Sequence, residues 1–401
     1  MLFFIACDED NPADTFDKPV VTAPADVQNI FFGAKGQSID FSVSIDADLT
    51  ATYSATGVGV TVVNSSGSVN GSTITISYEA GANAGAASIT LTVTDSEGQV
   101  DDATVVISID KPEFEVHISS NIAEDVTWTS DKVYILGGRI TVLNGVTLTI
   151  ESGTIIKGEA GTGANATALL IARGATIFAE GTADEPIIFT SVADEISPED
   201  VAAGNFGSPN LDPDINGLWG GVILLGKAPV SASNESGDVT EIQIEGIPTS
   251  DQNGLYGGNE PGDNSGVLKY ISIRHGGTNI GAGNEINGLT LGGVGFGTII
   301  ENIEIVSNQD DGVEFFGGNV NVKNLVSWNV GDDGVDTDQS WGGTIDNFVV
   351  FTPAGHCFEL DGPEGSMKAG HVIKNGTIVA SDDEFDRVSK DLINTDDNSI
   401  V

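Results

Sequence analysis

The sequence predicts an all-β chain: a right-handed parallel β-helix with three-strand coils of about 22 residues, preceded by a small antiparallel β-sandwich. Three observations lead there. Glycine supplies 52 of 401 residues and aromatics only 6 %, a profile of short strands and turns that excludes a helical bundle. Residues 27–110 alternate apolar and polar positions in short runs. Past Lys111-Pro112 the spacing of turns becomes a repeat.

In the first region the runs are Ile39 to Ile45, Thr73 to Tyr78, Ala87 to Val93 and Ala103 to Ile109, with Asp95-Ser96-Glu97-Gly98 as a turn. Strands of this length between turn signals make an antiparallel sandwich. In the second region Leu148-Thr149-Ile150-Glu151-Ser152-Gly153 recurs 21 residues later as Leu169 to Gly174. Asp310-Asp311-Gly312-Val313-Glu314 recurs 22 residues later as Asp332 to Asp336. Asn302, Asn324 and Asn347 fall in one column, spaced 22 and 23, and Asn375 joins it after a longer loop. Coils of that length stack about 4.8 Å apart, and asparagines in a column can bond along the axis at a tight bend. Residues 194–217 and 245–266 break the period and are the places where binding loops are expected. The expected divisions are a tether over 1–26, the sandwich over 27–110, the β-helix over 111–380 and an acidic tail over 381–401.

Fifty-nine acids against 15 bases give a net charge of −44, spread along the whole chain. Such a surface excludes nucleic acid and anionic membranes as partners, because both are bound through clustered cations, and it attracts hard cations, calcium first. Two cysteines, Cys7 and Cys357, cannot form a disulfide framework. No other apolar run reaches the roughly 18 residues of a membrane span, so any membrane contact is expected through a lipid alone.

Cys7 follows Leu2-Phe3-Phe4-Ile5-Ala6 and precedes Asp8-Glu9-Asp10. This resembles the end of a bacterial lipoprotein signal peptide, with Cys7 as the lipidated residue and the acids as a surface-export signal of Bacteroidota type. Residues 27–110 resemble Ig-like or cadherin-like modules of bacterial surface proteins. Further stretches are Thr141 to Gly145 running into Gly153 to Gly158, Gly217 to Gly226, Ile271 to Gly277 through Asn287 to Gly293, and Asp310 to Gly318. They resemble the pectin-lyase-like β-helix surface lipoproteins of Bacteroidota, some misnamed multidrug transporters and often found near TonB-dependent receptors. The resemblance implies an outer-membrane or extracellular location and this architecture more than a reaction; with an elongated acidic face, the expected role is non-catalytic binding or adhesion to polysaccharide or another surface component. A role as accessory to a TonB-dependent uptake receptor is the further implication.

Aligned coils place Asp310 over Asp332, Asp311 over Asp333 and His356, and Glu314 over Asp336 and Glu359. Stacked carboxylates repel unless a cation, a proton or solvent intervenes. The column therefore reads as a metal ladder, an acid and base set, or a hydrated edge. Asn308-Gln309-Asp310, Gly331-Asp332-Asp333, Gly355-His356 and Ile373-Lys374 also resemble, in order, the motifs of polygalacturonases. That likeness makes Asp310, Asp332, Asp333 and His356 the catalytic candidates for inverting hydrolysis of an acidic polysaccharide. The chain departs from those motifs at Cys357 and in having no Arg before Ile373. Calcium candidates are Asp212, Asp214 and Asn216, which match half of an oxygen-ligand loop, and the pair Asp336 and Asp338. The four histidines show no metal spacing among themselves, so zinc is not expected. Trp219, Trp328, Trp341 and Tyr256 would form a sugar-stacking platform wherever they reach the surface.

Overall fold

A computed structural model describes residues 16–25, 28–31, 33–81, 85–110, 114–281, 284–379, 392–396 and 399–401. Cys7 and most of the acidic tail lie outside these residues. The chain divides into two compact units, Met1–Glu113 and Phe114–Val401.

In the first unit, alternation with a period of two puts every second side chain on one face, as in Gln37–Ser44, where Ile39, Phe41 and Val43 are buried between exposed neighbours. One sheet runs Val20–Thr22, Gln37–Ser44, Thr73–Ala80, Val60–Val62. The other runs Gln28–Phe31, Val100–Asp110, Gly85–Asp95, Ala51–Val58, Ser66–Ser68. All pairings are antiparallel except that of Gln28–Phe31 with Val100–Asp110. The two sheets bury one common core around Phe41, Ile76, Ile89, Leu91 and Ile107.

The second unit is a parallel β-helix. Its first face is a parallel sheet of Arg139–Val142, Ala168–Ile171, Val222–Leu225, Leu289–Gly292, Val313–Phe316, Val335–Asp338, Phe358–Leu360 and Ile393–Thr395. The other two faces are the halves of longer strands. Gly266–Arg274, Ile299–Val306, Asn321–Trp328, Thr344–Phe351 and Val372–Val379 each bend at one left-handed residue, respectively Tyr270, Asn302, Asn324, Asn347 and Asn375, with φ between 49° and 67°. Residues before the bend pair on the second face and residues after it on the third. In earlier coils the same corner separates whole strands, Thr147–Ile150 from Ile155–Gly158 and Thr176–Glu180 from Ile187–Ser191.

Asparagine suits this corner because its short amide tolerates the left-handed region and can bond along the stack. Asn347 Nδ2 donates to Asn324 Oδ1, and Asn324 Nδ2 donates to Asn302 Oδ1, both at 2.7 Å. Asn375 keeps the bend, but its amide donates to Asp346 Oδ1 at 2.8 Å instead. Inside the coils Leu169, Leu224, Leu289, Phe315, Val335 and their neighbours form one continuous apolar column.

Two excursions leave the coils. Residues 192–221 carry the short helix Pro198–Ala202, whose capping box pairs Ser197 with Asp200. Residues 226–265 fold over the outside of the first face, where Tyr256 packs on Phe316 and donates to Gln339 Oε1. Among the described residues no helix is long and apolar enough to cross a membrane.

Asn324→Ala loses both amide bonds and strains the bend, so it is expected to destabilise the β-helix by about 2–3 kcal/mol. Asn324→Gly keeps the bend and should recover about 1 kcal/mol of that. Urea unfolding followed by circular dichroism checks both, and equal stability of the two variants would contradict the assignment.

Candidate functional site

The acids of the repeat gather where successive turns enter the first face. Within its strands Val313, Phe315 and Val335 point into the coil, and the alternation turns Glu314, Asp336 and Glu359 outward in one register column. Just before these strands, Asp311 and Asp333 are 7 % and 1 % exposed. Each is fixed to the next coil: Asp311 Oδ1 accepts the backbone N–H of Asp333 at 2.8 Å, and Asp333 Oδ1 accepts that of His356. Asn308 Nδ2 donates to the Asp311 carbonyl at 2.8 Å, and Asn287 Nδ2 donates to Glu314 Oε2. Gly355 is required here, because a Cβ would collide with the carboxylates of both Asp332 and Asp333.

Among the described residues, three sets of side chains bring possible ligand atoms within 4.8 Å of one another: Asp310, Asp311 and Asp332; Asp311, Glu314 and Asp336; and Asp333, His356 and Glu359. In the third set His356 Nδ1 lies 3.1 Å from Asp333 Oδ1 and 3.9 Å from Glu359 Oε1.

A second feature lies on the outside of the third face, where residues 206–213 of the first excursion lean over the coils. They enclose a groove of about 500 Å³ lined by Phe206, Leu211, Pro213, Arg274, Glu304 and Trp328 among others. Arg274, Val306 and Trp328 follow one another in register on successive coils. Arg274 is held in place: Nε donates to Ser272 Oγ at 2.7 Å, Nη1 to the Phe206 carbonyl, and Nη2 lies 3.6 Å from Glu304 Oε2. Trp328 is half-buried and meets Phe351 edge to face, with centroids 6.2 Å apart. Asn329 Nδ2, donating to the Pro213 carbonyl at 3.1 Å, and His275 Nδ1, 2.5 Å from the Ile215 carbonyl, tie the excursion down.

Residues 120–387 match the family described as the pectate-lyase-like β-helix domain. The chain belongs to this family. A solved structure titled as the Yersinia enterocolitica family 28 exopolygalacturonase is 10 % identical over 96 % of this chain and 87 % of that one, with a TM-score of 0.14. No curated protein matches the sequence significantly.

On this β-helix domain the four hydrolase candidates do not share one environment. Asp310 and Asp332 are half-exposed, whereas Asp333 and His356 are buried. Asp336 joins Asp311 and Glu314, while Asp338 stands in register with Phe316. Asp212 and Asp214 are exposed in the first excursion, and Asn216 Nδ2 reaches the Asn308 carbonyl at 3.5 Å. Of the four aromatic candidates, Trp219, Trp341 and Tyr256 are buried, and Trp328 alone reaches the groove. Arg274 and Glu304 carried no sequence signal beyond the repeat itself: they lie two register positions apart on neighbouring strands, and only the excursion that closes over them turns that edge into a groove.

Burial, then mutual repulsion, raises the carboxyls of Asp311, Glu314 and Asp336 well above the usual range. Burial first, then its hydrogen bond with Glu359, lifts Asp333 to about 8. Burial and the charge of Asp361 lift Asp338 to about 7. For a carboxyl raised by folding, the native state holds the proton longer than the unfolded chain. Its stability is therefore full below the unfolded value near 4 and is lost as pH climbs through the folded value. Asp338→Asn is thus expected to stabilise the chain in chelator by an amount that grows from pH 4 to a plateau near pH 8, on the order of 2 kcal/mol. Melting curves at pH 4, 6 and 8 test this, and a difference that does not change with pH would refute it.

Proposed function

We propose that this chain is a non-catalytic, carbohydrate-binding β-helix protein of the bacterial cell surface, held to the outer membrane by a lipid on Cys7. The sugar lies in the groove over the third face. The half-buried ring of Trp328 offers an apolar surface for a pyranose, and Glu304 beside it, held in place by the buried Arg274, offers a partly exposed carboxylate for hydroxyl groups. With a net charge of −44 the protein repels polyanions, so the fitting ligand is a neutral glycan.

One observation carries the choice of binding over hydrolysis. Asp333, which would have to meet water or a glycosidic oxygen, is 1 % exposed and spends a carboxylate oxygen on the backbone of the next coil.

Affinity electrophoresis through gels containing neutral polysaccharides should retard the intact chain on at least one glycan. Trp328→Ala should weaken that retention by about tenfold or more. In a reducing-sugar assay on polygalacturonate, the intact chain and Asp332→Asn should both release nothing. Release that depends on Asp332 would replace this reading with the hydrolase.

A further inference from the structure

We infer that Asp333, His356 and Glu359 form a binding site for a single divalent transition-metal ion of the zinc type, separate from the sugar groove. The three donors come from adjacent turns of the first face. Asp333 belongs to one coil, and His356 and Glu359, three residues apart, belong to the next. The fold fixes each of them from behind. Asp333 takes its position from the bond between its own N–H and Asp311 and from the His356 N–H that it accepts. Asn394 Nδ2 donates to Glu359 Oε1 at 2.8 Å. Supporting bonds of this kind are what orient metal ligands.

The observation that points to an ion, beyond the acids themselves, is the imidazole. His356 is 9 % exposed, and its Nδ1 is sealed from solvent, pointing at Asp333 Oδ1 at 3.1 Å and Glu359 Oε1 at 3.9 Å without a directed hydrogen bond to either. A buried ring nitrogen set against carboxylates with no directed bond is poorly satisfied, and a cation placed between the three groups satisfies them all. Donors about 2.0–2.2 Å from a common zinc stand roughly 3–3.5 Å apart. The Asp333 separation already fits, and Glu359, the most exposed of the three, has its carboxylate 3.9 Å from the imidazole and is the ligand that closes on the ion. Calcium and magnesium prefer all-oxygen shells, so the imidazole selects a borderline metal. Three protein ligands leave a coordination position for water. Spacing among histidines could not reveal this site, because only one histidine takes part.

The test uses the full chain stripped with chelator and titrated with zinc, cobalt(II) or calcium by calorimetry. One zinc per chain is expected, not displaced by millimolar calcium, with cobalt(II) giving the visible absorption of an inner-sphere site. His356→Gln and Glu359→Gln should each weaken zinc at least tenfold and abolish the cobalt band while retaining the wild-type circular dichroism spectrum. Glu180→Gln, an exposed acid elsewhere on the β-helix, should leave both unchanged. The inference is overturned by the absence of stoichiometric zinc, by equal competition from calcium, or by zinc binding that survives both ligand variants. Because Trp328 is not part of the site, sugar retention and zinc binding can fail independently.

Discussion

Everything in the β-helix follows from one constraint, the parallel register that sets each coil against the next. A residue placed at one position acquires, about one strand spacing away, whatever occupies the matching position of the neighbouring coil. For Ile171, Leu224, Leu291 and Phe315 this produces an interior column that excludes water along its length. For Glu314, Asp336 and Glu359 it produces a row of carboxyls that solvent alone cannot keep ionised, since part of the row is covered. The same rule that makes the apolar column stable makes the acidic column hold its protons.

The chain answers that crowding by giving the innermost acids something to hold. Asp311 and Asp333 each take a backbone N–H of the following turn, which joins consecutive coils at a corner where strand pairing has ended. The asparagine corner does similar work with neutral groups, each amide both donating and accepting. Two polar seams therefore run along the molecule, one acidic and one neutral, and only the acidic seam has affinity left for protons or ions.

The solenoid was legible because a register column repeats the same residue kind: the Asp-Asp-Gly and Asn positions announce a period of about 22 without any structure. The carboxylates of the third cluster were in the aligned column as well, Asp333 with His356 and Glu359 one position set further along. What the sequence did not disclose is which side of each strand is covered. Residues 226–265 are as polar as any open loop, yet they bury Tyr256 and Phe316 against the first face. Likewise Trp341 stacks on Phe315 inside the coil, with centroids 4.1 Å apart, while Trp328 faces outward. The two differ by which half of a coil they occupy and not by anything in their immediate neighbours. Asn375 shows the limit of column reasoning from the other side: the backbone repeats, but a longer connection lets its amide choose Asp346.

Both excursions depart from turns and return to the same stack, so the strands on either side of each insertion still pair as if nothing intervened. Mechanically, such a rod shares its load only between adjoining layers. Pulled lengthwise, it would peel open layer by layer from an end, with the force for each step set by that layer's own seams. Lesions would stay confined to the layer that carries them, while the decorations on the rod's flanks could be exchanged without disturbing its axis.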